Sequence, residues 1–161
     1  MDEKKLAGIA AAMGRIPQGL FVLTARHEDR RTGILVSWVQ QVCFSPPMVA
    51  VSVAKGRPIM PLISESRAFG LCQLYEGERT IFRKFASGTP DNEDPFLGLE
   101  LLPDTYAHVP VLAGSMSYMA CEVVRHVDAD GDHDMFIGAV RTGNYLQGIP
   151  HVHLRDSGLR Y

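Results

Sequence analysis

The spacing of apolar and polar residues changes several times along the chain, and each change marks an element. In residues 2–13, Leu6, Ile9, Ala10 and Met13 recur three or four apart, the spacing of one helix face, and Gly14 follows as a stop. Residues 19–25 are β-branched and aromatic and predict a strand, and the charged stretch 27–31 predicts a turn. Two more strands are expected at 34–38 and 48–54. They are joined through a short apolar stretch and Pro46-Pro47, a pair that cannot sit inside a central ladder. A short helix is expected at 57–64, with Pro58 tolerated near its first turn. A strand follows at 69–75, then an amphipathic helix at 78–87 with Ile81, Phe82 and Phe85 on its apolar side. Residues 88–110 are rich in Pro, Gly and Asp and predict a long excursion. Strands at 118–127 and 135–141 are connected by Asp128-Ala129-Asp130-Gly131-Asp132-His133, a glycine-containing hairpin.

Many short strands with a few short helices predict a mainly β protein, a barrel with helical decorations. The chain lacks βαβ alternation and a Gly-x-Gly-x-x-Gly turn, which excludes a Rossmann-type nicotinamide domain. Its 161 residues are expected to form a single domain, 1–161, long enough to bury a core. Acids and bases are interspersed and the formal net charge is −2, so neither nucleic acid nor a membrane surface is an expected partner. The apolar run 6–13 is too short to span a bilayer, and no cleavage site follows a basic start; a cytoplasmic location is expected. Cys43, Cys72 and Cys121 are odd in number and widely spaced, and are expected to be buried reduced thiols.

Three stretches carry candidate chemistry. In Val36-Ser37-Trp38-Val39-Gln40-Gln41, strand-end N–H groups, Ser37 and the glutamines could meet the polar edge of a flat ring. Trp38, the only tryptophan, could supply aromatic surface. The same residues also suit a strand with a core tryptophan and solvated glutamines. In Ala54-Lys55-Gly56-Arg57-Pro58, two cations flank a glycine before a predicted helix, the makings of a phosphate seat or of a solvated turn. In Gly131-Asp132-His133, the histidine could bind or tune a ligand, or could simply sit exposed in a turn that Asp132 caps. His151 and His153 alternate, but no third ligand has metal spacing, so no metal site is expected.

Taken in chain order, these landmarks resemble the flavin reductase-like family, whose fold is the FMN-binding split β-barrel. They are Gly19 with its strand, the segment 33–47, Lys55 with Arg57, 69–74, 82–85, 118–122, Gly131-Asp132-His133 and the terminal run 153–161. The run Trp38-Val39-Gln40-Gln41 is most similar to a subgroup that includes the reductase module of cyanobacterial flavodiiron (diflavin) proteins, and here the module is expected to stand alone. The resemblance implies a homodimer that binds FMN, with FAD possible, through Val36, Ser37, Trp38, Val39, Gln40, Gln41, Ala54, Lys55, Gly56 and Arg57. In it, Lys55 and Arg57 take the phosphate. His133 becomes the catalytic residue beside the nicotinamide of NADH or NADPH, and the terminal run serves the pocket or the subunit contact. Electrons would pass to free flavin, oxygen or a redox partner protein. The chain departs from the family where many members carry Thr or Ser, at Leu35, Trp38, Cys43 and near Pro58, and where many carry Asn, at Cys72. Backbone donors and Gln41 would then substitute. The alternatives are a flavoredoxin-like electron carrier that never meets nicotinamide, and a cofactor-free binding module.

Overall fold

The computed structural model describes residues 2–90 and 92–154. Its strands are β1 (Phe21–His27), β2 (Arg30–Val36), β3 (Val39–Phe44), β4 (Pro47–Ala54), β5 (Ala68–Gln73), β6 (Ser117–Asp128) and β7 (His133–Tyr145). They form one antiparallel sheet in the order β2-β1-β5-β6-β7-β4-β3. The two outermost strands, β2 and β3, are consecutive in the chain, with only Ser37 and Trp38 between them. A flat seven-stranded sheet would hold its edges roughly 29 Å apart, whereas a two-residue link reaches about 10 Å. The sheet therefore curls until its edges meet, giving a β-barrel that stays split along one seam. Ser52 N–H of β4 donates to Trp38 O at 3.0 Å beside that seam.

Strand alternation sorts the apolar residues into two cores. Phe21, Leu23 and Ala25 of β1, Phe69 and Leu71 of β5, Cys121 and Val123 of β6 and Phe136 of β7 fill the barrel. Their neighbours Val22, Ala68, Cys72 and Ala120 face the other way, onto Phe85, Phe96, Val109 and Leu112. Burial on both faces explains the uninterrupted apolar runs of β1 and β5. At Gly138 a Cβ would lie 2.6 Å from the Phe69 ring, so the barrel interior has room there only for glycine.

Three helices decorate the barrel. α1 (Glu3–Met13) is capped by Asp2, whose carboxylate accepts from Lys4 N–H, and ends at Gly14. α2 (Ile59–Ser66) plugs the barrel with Ile59, Leu62 and Ile63. α3 (Thr80–Ala86) starts where the Glu78 carboxylate accepts from the N–H groups of Thr80, Ile81 and Phe82.

Several expectations shift. β3 was read only as a short apolar stretch; its residues are mostly exposed, because an edge strand has no second neighbour to bury them. β2 begins at Arg30, since a tight turn at Glu28-Asp29 sets Arg30 opposite His27 and makes Arg30 and Arg31 strand residues. Trp38 falls between strands rather than inside one. Phe82 lies on the open side of α3, while Ile81 and Phe85 are buried. Cys43 is half-buried on the edge strand; Cys72 and Cys121 are buried, and desolvation pushes both thiols up to about 12. From Arg155 on, the terminal run lies outside the described residues.

Candidate functional site

Two clefts adjoin at the seam. One, of about 1030 Å³, runs along β2 from Arg30 and Arg31 to Val36 and Ser37, between the start of α2 and the loop after α3. Its cations are Arg30, Arg31 and Arg57, faced by Asp29, Glu93 and Asp94. The other, of about 650 Å³, is mostly apolar and is walled by Ala10 and Met13 of α1, Ile16, Trp38, Val39, Met135 and His133. Ser37 and Ser52 border both. Ladder pairing brings these parts together: β4 pairs with β7 so that Ala54 stands opposite His133, and β3 pairs with β4 so that Val39 stands opposite Val51.

His133 and Trp38 meet across the apolar cleft. Their ring centroids are 4.6 Å apart and tilted by 43°. The His133 side chain is 11% exposed, and its Nδ1 lies 2.8 Å from Asp132 Oδ1. That hydrogen bond holds the Asp132 carboxyl below the usual carboxylate range. The His133 side chain is thus largely covered rather than exposed on its turn.

The sequence-predicted residues divide between the clefts. Val36, Ala54 and Arg57 line the polar one, Trp38, Val39, Gln40 and His133 the apolar one, and Ser37 both. Gln41, Lys55 and Gly56 line neither. Gln41 is exposed on β3, paired with Val49. Lys55 turns to the β6–β7 hairpin: its ammonium donates to Asp128 Oδ1 at 2.7 Å and stands 3.6 Å from Asp134 Oδ1. The Asp128 hydrogen bond, first among the causes, raises the Lys55 pKa and lowers that of Asp128.

The start of α2 is a thinner anion seat than its position in the sequence suggests. Pro58 offers no side-chain cap, Met60 N–H already donates to Arg57 O, and Pro61 has no N–H. Arg57 is thus the cation at that end of the cleft. Farther along, the Arg31 guanidinium forms a two-point pair with Asp94, at 2.6 and 3.2 Å, and lies over the Phe96 ring. Arg31, Ser52 and Asp134 were not singled out from the sequence. Arg31 looked like part of a turn, and nothing local marks the partners of Ser52 and Asp134.

The model for the flavin reductase like domain matches residues 13–156, most of the chain. The chain belongs to the flavin reductase-like family. Within that family it is similar to a putative diflavin flavoprotein A 2 of Synechocystis, at 33% identity over 93% of this chain. A putative diflavin flavoprotein A 3 of Nostoc is also 33% identical, over 96% of this chain. The chain spans about a quarter of the length of these relatives, 26% and 27%. Among solved structures, a Streptomyces globisporus NADH:FAD oxidoreductase superposes with TM-score 0.79 at 25% identity, covering 91% of this chain and 86% of that one. The styrene monooxygenase flavin reductase of Pseudomonas putida has the same fold, with TM-score 0.75 at 24% identity over 94% of this chain and 99% of that one.

The residues present fit a flavin. A flavin reductase-like domain has to seat a planar ring beside a phosphorylated chain. Here an apolar cleft with an aromatic wall meets an arginine-lined one at a seam with two serines. No helix among the described residues is long and apolar enough to cross a membrane.

Proposed function

We propose that the chain is an FMN-binding oxidoreductase that transfers hydride from NADH or NADPH to the flavin, whose electrons then pass to free flavin, oxygen or a partner protein. The observation that carries this reading is the junction of the two clefts at Ser37 and Ser52, with Arg57 in one and the Trp38–His133 pair in the other. Bound flavin supplies hydride acceptance and onward electron delivery. The protein supplies position. In this reading Val36, Ser37 and Val39 border the ring, with Gln40 and Gln41 on the adjoining edge strand. Ala54 and Arg57 follow the phosphorylated chain, with Arg57 holding its charge and Gly56 in the turn between them. Trp38 and His133 form the wall against which the nicotinamide docks. FAD is the alternative flavin for the same site. Val42 and Phe44, exposed on edge strand β3, support the proposed pairing of two copies.

The test is a fluorescence titration of FMN with purified protein, followed by NADH and NADPH oxidation by the loaded protein. Sedimentation of the same sample reads the expected dimer. Saturable quenching with flavin-dependent oxidation of either nucleotide is the expected result. Binding without oxidation moves the function to an electron carrier. No binding of FMN or FAD removes the flavin from the reading.

A further inference from the structure

The β6–β7 hairpin that carries His133 is unusually acidic. It holds Asp128, Asp130, Asp132 and Asp134 within seven residues. Like charges this close repel one another and would splay an untethered turn. Asp134 is the costliest of them. Its side chain is 10% exposed, its Oδ2 lies 2.8 Å from His126 Nε2, and its Oδ1 is buried without a hydrogen-bond partner. His126 in turn stacks on Phe136, with centroids 4.4 Å apart and planes at 17°.

Lys55 meets this cluster from the end of β4. Its N–H donates to Asp132 O at 2.9 Å, and its ammonium donates to Asp128 Oδ1 and stands near Asp134 Oδ1. The same Asp128 oxygen accepts from Asp130 N–H at 2.8 Å, which ties the clamp to the turn itself. One residue thus fastens the hairpin at three points, one residue beyond Ala54, which faces His133 in the ladder. Two carboxylates at the ammonium oppose a phosphate there, and Lys55 lines neither cleft.

We propose that Lys55 is a positioning residue: it clamps the hairpin so that His133 stays against Trp38, and it leaves the flavin phosphate to Arg57. This rests on the proposed flavin and nicotinamide site. Removing the clamp releases the hairpin, and with it the nicotinamide wall, while the arginine-lined cleft keeps its shape.

The experiment compares Lys55→Met, Lys55→Arg and Asp128→Asn with the parent protein and with His133→Ala. Lys55→Met and Asp128→Asn are expected to raise the KM for NADH or NADPH roughly tenfold, with kcat and the Kd for FMN changed less than about twofold, and Lys55→Arg to restore most of the loss. Trp38 emission supplies a readout that needs neither flavin nor turnover. His133→Ala defines the spectrum without the histidine ring, and Lys55→Met and Asp128→Asn are expected to move toward it. A tenfold loss of FMN affinity in Lys55→Met with KM unchanged would make Lys55 a phosphate ligand and overturn the proposal. So would emission and KM both unchanged in the two variants. If Lys55→Met does not fold, Asp128→Asn carries the comparison, because it removes the charge of an exposed partner of the same clamp. If the parent binds no flavin, the functional reading falls, while the Trp38 spectra still decide the clamp.

Discussion

At the scale of single residues, Lys55 and Arg57 look alike in the sequence and separate in space. The carboxylates that engage Lys55 stand more than seventy positions later, so no local signal could have divided the two roles. Arg57, left at the cleft, is the side chain on which the proposed anion binding would rest. Arg57→Ala is expected to weaken FMN binding roughly tenfold, because a charge-assisted contact to phosphate is lost, and to reduce its salt dependence. Titration of riboflavin alongside checks this, since riboflavin lacks the phosphate and its affinity should hardly change. Trp38 and His133 were singled out by their residue types and the resemblance. Their contact was not, since it depends on the register that sets Ala54 opposite His133.

At the scale of elements, the apolar periods located the three α-helices and all but one of the strands among the described residues, and the errors fall mostly at edges. β3 alternates weakly because neither face is fully buried. β2 hides its first residues behind arginine charge. Arg30 and Arg31 therefore read as a turn, and the far end of the polar cleft went unseen. Arg31 also anchors the loop after α3. Its pair with Asp94, backed by Phe96 N–H donating to Asp94 Oδ1 at 3.1 Å, holds that carboxyl below its ordinary 3.8. A depressed acid contributes stability above its unfolded pKa and loses it as pH falls through the folded value. The pair is half-exposed, so its worth is at most about 1 kcal/mol. Asp94→Asn is expected to speed proteolytic cleavage near residues 92–98 at neutral pH. The gap from the parent should close as pH drops below 3.8, where the parent loses the same charge. A gap that persists in acid would show that the pair does not anchor the loop.

At the scale of the whole molecule, the strand count and the absence of crossover helices pointed to a barrel, but its closure was not written in any one segment. Hairpins β1–β2, β3–β4 and β6–β7 are local, whereas β1 with β5 and β4 with β7 join distant parts of the chain. Those long-range pairings make the outermost strands successive in sequence. The barrel is therefore complete everywhere except where its chain passes from β2 to β3, and that gap is where the two clefts meet. A ligand seated there touches both margins and serves as the missing stave. Its binding energy then adds to the cohesion of the barrel, and a concentration one hundred times Kd should add about 2.7 kcal/mol to folding stability. FMN is expected to raise the Tm in step with the logarithm of its concentration, and a Tm indifferent to saturating FMN would deny it that place. Heat alone, with no electron moved, would then read out the cofactor.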